Sequence, residues 1–205
     1  MKRIRLVTLF SLIMMTPNAW SYGTGISSFP LTVNRPYVGA EFTGITSTGG
    51  GVGMQARYTQ KLSSATVVDA GLGMGGGEMT SRIFGGIDFE LFPDYQQQPK
   101  ISIKAKFENA KEFEVRTNSF GIAPTVTKGF NFWGHEAYPF ISLPYNVKLD
   151  AKENSYNTTA SLNFGIAANL PWEGYSHLTA TAEGVINLSD SYSGLFVGVS
   201  FPFNN

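Results

Sequence analysis

The chain has 205 residues, no cysteine, and 15 basic against 15 acidic side chains. This length suits one domain with a complete core. The lack of cysteine excludes a disulfide framework and most zinc, iron–sulfur and thiol chemistry. The even charge balance, without a basic patch, argues against nucleic-acid binding. With 23 glycines and 14% aromatic residues, the composition favours an all-β fold.

The first 21 residues have the pattern of a secretory signal peptide. Three basic residues precede an apolar stretch at residues 6–15, and Pro17 follows it. Ala19 and Ser21 then stand at the −3 and −1 positions of a cleavage site. The apolar stretch is too short to span a bilayer as a helix. We therefore expect export, cleavage after Ser21, and one mature domain over residues 22–205 with 12 basic against 15 acidic residues.

In the rest of the chain, apolar residues recur at every second position in ten segments. Such alternation gives a β-strand one apolar and one polar face. The alternation slips near Asn118, which predicts a β-bulge in the sixth segment. The segments lie, in chain order, at residues 38–43, 52–59, 68–74, 82–91, 101–108, 112–126, 141–150, 156–169, 177–188 and 194–203.

The polar face of these strands carries many charges of both signs. Interleaved charges suit a narrow barrel interior, where they neutralise one another. An ordinary solvated surface would carry them too, so this feature alone does not separate a membrane barrel from a soluble one. The residues predicted to form a charge network in the lumen are Arg82, Asp88, Glu90, Lys104, Lys106, Glu114, Arg116 and Glu183.

The turns between the segments fall into two alternating classes. Odd-numbered turns are small and polar, the third of them at residues 109–111, whereas most even-numbered turns carry aromatic residues. Every second turn of an up-and-down barrel lies on the same rim, so these aromatics would form a girdle at a membrane interface. The predicted girdle, including two aromatics near the end of the chain, consists of Phe92, Tyr95, Phe132, Trp133, Trp172, Tyr175, Phe201 and Phe203.

The last segment alternates apolar residues and ends on Phe201 and Phe203. Here the chain resembles the Gram-negative outer-membrane β-barrel proteins, whose closing strand typically ends in an aromatic residue read by the barrel-assembly machinery. The resemblance departs at Asn204 and Asn205, which follow the aromatic. It implies an up-and-down antiparallel transmembrane β-barrel in the outer membrane. The partners it implies are outer-membrane lipid and the barrel-assembly machinery. Ten strands are predicted, or eight if a weak segment merged with its neighbour.

Some outer-membrane barrels are proteases or lipid hydrolases, and such sites need a histidine beside a nucleophile. The chain has two histidines. His135 lies in an aromatic turn. His177 and Thr179 share a strand face and superficially resemble the His-x-Ser of barrel lipases and deacylases, but Thr replaces Ser and the alternation directs His177 inward. We therefore expect no enzymatic activity, no metal and no cofactor.

The sequence thus predicts a non-enzymatic outer-membrane barrel with a structural or surface role and a largely filled, charged lumen. The alternatives are a narrow small-solute channel, a lipid-modifying enzyme that uses His177, and a soluble periplasmic barrel, which shares the same alternation. The sequence does not identify a ligand for this protein. Both termini and the even-numbered turns are expected on the periplasmic side.

We also predict a ladder of ion pairs across the fourth, fifth and sixth strands. A turn centred near Gln97 would place Asp88 opposite Lys106 and Glu90 opposite Lys104. A tight turn at Ala110 would then place Lys106 beside Glu114 and Lys104 beside Arg116.

Overall fold

The computed structural model describes residues 23–47, 50–75, 79–112, 115–132, 134–150 and 155–203. A short 3₁₀ helix, Gly25–Ser28, precedes the strands. No helix in these ranges is long and apolar enough to cross a membrane. The strands are β1 (Pro36–Ile45), β2 (Val52–Ser63), β3 (Thr66–Gly75), β4 (Met79–Phe92), β5 (Lys100–Glu112), β6 (Val115–Thr127), β7 (Phe130–Phe132), β8 (His135–Ser142), β9 (Tyr145–Asp150), β10 (Ser155–Asn169), β11 (Thr179–Ser189) and β12 (Gly194–Pro202).

These strands form a closed antiparallel barrel. Consecutive barrel strands pair with each other, and β12 closes the sheet by pairing with both β11 and β1. β8 and β9 both pair with β6 and β10, so they are two halves of one barrel strand, interrupted at Leu143 and Pro144. β7 pairs only with β8, as a hairpin at one end of that strand. The predicted ten-strand up-and-down barrel is therefore confirmed.

The alternation in the sequence sorts side chains to the two faces of the barrel wall. In β2, Val52, Met54 and Tyr58 are exposed on the outside, whereas Gln55 and Arg57 between them are buried inside. The same alternation runs along β1 and β12. Successive residues of a strand point to opposite faces, and closure of the sheet turns one face into an interior. The polar face lies inside and the apolar face outside.

The two rims of the barrel differ in their turns. We call the rim where β1 begins and β12 ends the terminal rim, because Tyr37 pairs with Pro202 there. It also carries the turns at residues 64–65, 93–99, 128–129 and 170–178, and the hairpin of β7 with β8. The opposite, distal rim is the one at which β1, β3, β5, β9 and β11 end and the next barrel strand begins.

The connection of β5 to β6 differs from the prediction. Residues 109–111 belong to β5, which runs to Glu112, and β6 begins at Val115. The two strands pair from Lys100 with Thr127 to Glu112 with Val115 without a register shift. The predicted turn at residues 109–111 and the bulge near Asn118 are therefore wrong, because one continuous ladder pairs the two strands up to Glu112 and Val115.

The predicted ion ladder also has the wrong register. Asp88 lies opposite Lys104 rather than Lys106, and Glu90 lies opposite Ser102. On the other side of β5, Lys106 lies opposite Gly121. The register of β4 with β5 shifts between Glu90 and Phe92, where a bulge adds a residue that the alternation did not reveal.

Candidate functional site: the barrel lumen

The middle of the lumen holds a cluster of charged side chains centred on Arg57. Its guanidinium donates to Glu41 from Nε (2.6 Å to Oε1) and from Nη2 (3.0 Å to Oε2), and to Asp69 Oδ2 from Nη1 (2.6 Å). Lys104 Nζ donates to the same Asp69 oxygen at 2.6 Å. All four side chains are buried. Because a buried charge without a partner is costly, their mutual pairing is what allows them to share this interior.

Gln55 connects this cluster to a second ion pair nearer the distal rim. The Gln55 amide nitrogen donates to Glu41, and its oxygen accepts a hydrogen bond from Arg82. Arg82 Nη1 lies 3.6 Å from Glu108 Oε1, and both side chains are buried. The polar residues of the five strands β1 to β5 therefore form one continuous network rather than separate pairs.

Glu183 lies on the wall formed by the later strands of the barrel. Its Oε1 accepts a hydrogen bond from Asn163 Nδ2 at 2.6 Å, and its Oε2 accepts one from the backbone N–H of Thr24, also at 2.6 Å. The Thr24 hydroxyl donates to Oε1 at 3.2 Å. A carboxylate that accepts several hydrogen bonds is held in one position. Glu183 therefore fixes the start of the described chain to the inner wall.

Residues 23–31, which we call the N-terminal segment, lie inside the barrel before the first strand. All of residues 23–29 are buried. The carbonyl oxygen of Gly23 accepts a hydrogen bond from Arg57 (3.1 Å), and that of Thr24 accepts one from Lys104 (3.2 Å). Contacts with residues of β2, β5 and β11 surround the segment, so it occupies the lumen itself.

Apolar clusters lie at both ends of the lumen. At the terminal rim, Ile26, Phe29 and Leu31 of the N-terminal segment pack with Tyr37, Val67 and Ala167 of the barrel, and Tyr138 packs edge-on against Phe29 at 5.3 Å between ring centroids. At the distal rim, Tyr192 and Phe196 pack with Val185 and Ile45. Both ends of the polar network are thus covered by buried rings and aliphatic side chains.

A cavity of about 190 Å³ opens at the terminal rim beside the N-terminal segment. Two turns bordering it are tied together by Asp94, which accepts hydrogen bonds from Lys128 Nζ and, at 2.7 Å, from the Gly129 backbone N–H. Slight burial alone would raise the pKa of Asp94, but these hydrogen bonds and the nearby lysine charge outweigh it and hold the pKa below its ordinary value. The carboxylate form of Asp94 therefore favours the closed arrangement of these turns.

Five of the eight residues predicted for the lumen network are buried inside the barrel. The strand register gives them other neighbours across the sheet than those predicted: Asp88 lies opposite Lys104, and Lys106 lies opposite Gly86 and Gly121. The five are Arg82, Asp88, Lys104, Lys106 and Glu183.

The other three predicted lumen residues lie elsewhere. Glu90 is half-buried at the terminal rim, 3.8 Å from Lys100 Nζ, and Glu114 lies outside the described residues. Arg116 is exposed and donates to Asn109 Oδ1 at 2.7 Å, so its placement in the lumen is corrected. The reason is that β6 contains no bulge between Arg116 and Phe120. The two residues are an even number of positions apart, so Arg116 points outward like Phe120.

The residues predicted for the aromatic girdle lie at the terminal rim, except Trp133, which is outside the described residues. Tyr95 and the pair Trp172 and Tyr175 lie in turns of that rim, and the others end the strands that reach it. The exposed members are Phe92, Tyr95, Phe132, Trp172, Tyr175, Phe201 and Phe203. Their rings are therefore available to the surroundings of the barrel.

Neither histidine contributes to a catalytic arrangement in the described part of the chain. His135 is exposed at the tip of the β7–β8 hairpin. His177 lies in the turn at residues 170–178, exposed, with its ring 5.7 Å from that of Phe201, so the inward direction predicted for it is wrong. The alternation does not extend into this turn, since β11 begins at Thr179. No cluster of three or more His, Asp or Glu side chains in the described ranges could hold a metal ion.

Several lumen residues were not predicted from the sequence. Phe84 and Phe196 lie at inward positions and border charged groups, with the Phe84 ring centroid 4.9 Å from Arg57 Cζ. Their positions in the alternation of β4 and β12 could have indicated that both rings point into the lumen. Tyr192 and the N-terminal segment had no such signal, because they belong to no alternating strand.

No protein-family model matches the sequence, and no curated protein matches it significantly. Among solved structures, similar chains include one from a de novo design of transmembrane β-barrels, 10% identical, with a TM-score of 0.41 over 84% of this chain and 98% of that chain. Another is a KdgM porin, 12% identical, with a TM-score of 0.36 over 83% of this chain and 99% of that chain. The fold assignment itself rests on the strand pairing described above.

Proposed function

We propose that the chain is an integral outer-membrane β-barrel protein without enzymatic activity, closed in this conformation, with a structural or surface role in the cell envelope. The observation that carries the proposal is the distribution of side chains over the barrel wall. Charged residues such as Arg57 and Glu183 are buried inside, whereas large apolar residues such as Phe42, Ile122 and Leu195 are exposed outside.

This distribution is the reverse of the one that water favours. A soluble barrel turns its apolar face inward, and soluble monomers rarely expose contiguous apolar patches of more than a few hundred Å². Here apolar side chains are exposed around the wall on strands from β1 to β12. A hydrocarbon surrounding stabilises such a surface, and a closed sheet satisfies its backbone groups without water. These facts argue against the soluble periplasmic alternative.

The proposed envelope location and orientation are supported by features at the two ends of the sequence. A signal peptide over residues 1–21 would deliver the protein across the inner membrane. In outer-membrane barrels both termini lie in the periplasm, so the terminal rim would face the periplasm. Exposed aromatics such as Tyr95 and Trp172 on that rim suit the lipid–water interface.

A closed lumen is supported by the material inside it. The N-terminal segment occupies the terminal half, and Tyr192 with Phe196 covers the distal end. Between them, Arg57, Gln55 and Arg82 join carboxylates from several strands. This arrangement favours a closed barrel over an open pore.

A narrow small-solute channel is the second candidate, and one observation favours it. Asp69 Oδ1 and Asp88 Oδ1 are buried in the lumen without a hydrogen-bond partner among the described residues. Such carboxylate oxygens can accept hydrogen bonds from solvent or attract a cation. The interior is thus polar enough to conduct if both the N-terminal segment and the distal cover of Tyr192 and Phe196 moved.

The membrane proposal is tested by expressing the chain with its own leader and fractionating the cells. We expect the protein in the outer-membrane fraction, an N-terminus at Tyr22, and faster gel migration before heating than after it. Recovery in the soluble periplasmic fraction, or a retained Met1, would refute it. Planar-bilayer recordings of the full-length protein separate the two candidates, since a closed barrel gives no steady conductance.

A further inference from the structure

We propose that the lumen is a peptide-binding site and that the N-terminal segment is its ligand in cis. This proposal depends only on the fold and not on the proposed membrane location. The ligand class is a short uncharged peptide in which glycine precedes an apolar residue, as Gly25 precedes Ile26.

The first argument is that charged side chains of the wall bind the main chain of the segment. Glu183 accepts from the Thr24 N–H, Arg57 donates to the Gly23 carbonyl, and Lys100 Nζ donates to the Ser27 carbonyl at 2.9 Å. Hydrogen bonds to charged groups are shorter and stronger than neutral ones. Side chains of three strands, β2, β5 and β11, therefore bind main-chain atoms of the segment, as the wall of a peptide-binding site would.

The second argument is that the segment is not part of the sheet. Among the described residues, its own backbone hydrogen bonds are internal, from Phe29 N to the Ile26 carbonyl and from Leu31 N to the Phe29 carbonyl. Backbone bonding to the barrel begins later, where the Asn34 N–H donates to the Lys61 carbonyl at 2.8 Å. The segment can therefore leave without breaking any pairing between strands.

The third argument is that its anchors keep other partners when it leaves. Glu183 retains Asn163, and Arg57 retains its bonds to Glu41 and Asp69. Arg57 and Lys104 thus keep their carboxylate partners in an empty lumen, and Glu183 keeps a hydrogen bond from Asn163. If the segment were required for folding, its removal would instead leave charged side chains of the wall buried without a partner.

The fit is specific at Gly25. Its φ of +67° lies in the left-handed region, which side chains with a Cβ disfavour. A Cβ there would also approach the Arg57 guanidinium to 2.8 Å. Gly174, in an exposed turn, has a φ of +82°, but a Cβ at that position would meet no atom within 4 Å. Gly174 therefore provides a matched control for backbone strain alone.

The direct test uses a barrel that begins at Thr32 behind the signal peptide, purified in detergent. A fluorescent peptide of residues 23–31 should bind it saturably, with at least tenfold weaker binding to the full-length barrel, whose site is occupied. The same peptide with Gly25→Val should also bind at least tenfold more weakly. A folded truncated barrel that does not bind, or equal binding of the two peptides, overturns the site.

The full-length chain offers a second route if truncation prevents folding. Gly25→Val should weaken the cis contact and let the fluorescent peptide bind at least tenfold more tightly than to the wild-type barrel. Gly174→Val should bind it no better than wild type. Equal binding to the two variants would refute displacement of the segment.

Discussion

Replacing Arg57 with methionine should destabilise the barrel strongly. Arg57 is 2% exposed and bridges Glu41 and Asp69 with contacts of 2.6 Å to each. Methionine keeps much of the side-chain volume but removes the charge. Asp69 then still has Lys104, so Glu41 is the carboxylate that loses its cation and keeps only the Gln55 amide.

The magnitude follows from these remaining partners. Removing one member of a buried ion pair costs about 3–5 kcal/mol, because the other charge stays buried without compensation. The surviving Lys104 contact places this variant at the lower end of the range. Loss of the bond to the Gly23 carbonyl adds about 1 kcal/mol. We therefore expect the free energy of unfolding to fall by about 3–4 kcal/mol.

The assay is urea unfolding of the barrel in lipid vesicles, followed by the heat-sensitive gel shift and by tryptophan fluorescence. Arg116→Met is the matched control, because Arg116 is exposed and its loss should change the unfolding free energy by about 0–1 kcal/mol. A second substitution, Glu41→Leu in the Arg57→Met background, should recover much of the loss, since it removes the stranded charge. Equal stability of Arg57→Met and Arg116→Met would refute the buried-network reasoning.

Three further predictions concern the surroundings of the barrel. Ile122→Lys, on the outer wall near the middle of β6, should destabilise the barrel in vesicles by about 2–4 kcal/mol, whereas Leu62→Lys near the terminal rim should cost about 0–1 kcal/mol; equal, small effects in the same unfolding assay would indicate an aqueous exterior. Cysteines placed at Gly49 and Ser189 should react with a membrane-impermeant reagent in intact cells, and one placed at Gln97 should not; the reverse pattern would invert the topology. Because the folded pKa of Asp94 is depressed, its contribution to stability is present above the unfolded value of 3.8 and is lost as the pH falls through the folded value. In hydrogen-exchange NMR, the protection factor of the Gly129 amide, which is the exchange rate of an unstructured peptide divided by that of this amide at the same pH, should therefore fall under strong acid in the wild type and stay constant in Asp94→Asn.

The strand pattern could be predicted because each barrel residue obeys a local rule. A wall one strand thick gives every residue only two directions, so alternation alone places Asp88, Lys104 and Lys106 inside. The same rule failed at Arg116, where an assumed bulge inverted the parity. A single misplaced phase change moves every residue between it and the next turn to the wrong face.

Pairing inside the lumen could not be read from parity. Which charges meet depends on the register between strands, and a bulge between Glu90 and Phe92 with a seven-residue turn placed Lys104, rather than the predicted Lys106, opposite Asp88. Ion pairs between non-adjacent strands, such as that of Asp69 in β3 with Lys104 in β5, depend further on the curvature of the closed wall. Neither the register between strands nor the curvature of the wall produces a repeating pattern in the sequence.

The N-terminal segment marks the limit of sequence reasoning in this fold. Thr24 meets Glu183 across 159 positions of the chain, and no alternation or motif announces such a contact. Yet the composition of the segment is consistent with its place: Gly25 has a φ of +67° and lies where a Cβ would approach the Arg57 guanidinium to 2.8 Å, and Ile26 and Phe29 fill the apolar end of the lumen. The wall pairs its own charges, as Arg57 does with Glu41 and Asp69, and uses further donors and acceptors for the segment. Because Arg57 takes part in both sets of contacts, its substitution affects the wall and the segment together, whereas a substitution at Gly25 changes the segment alone.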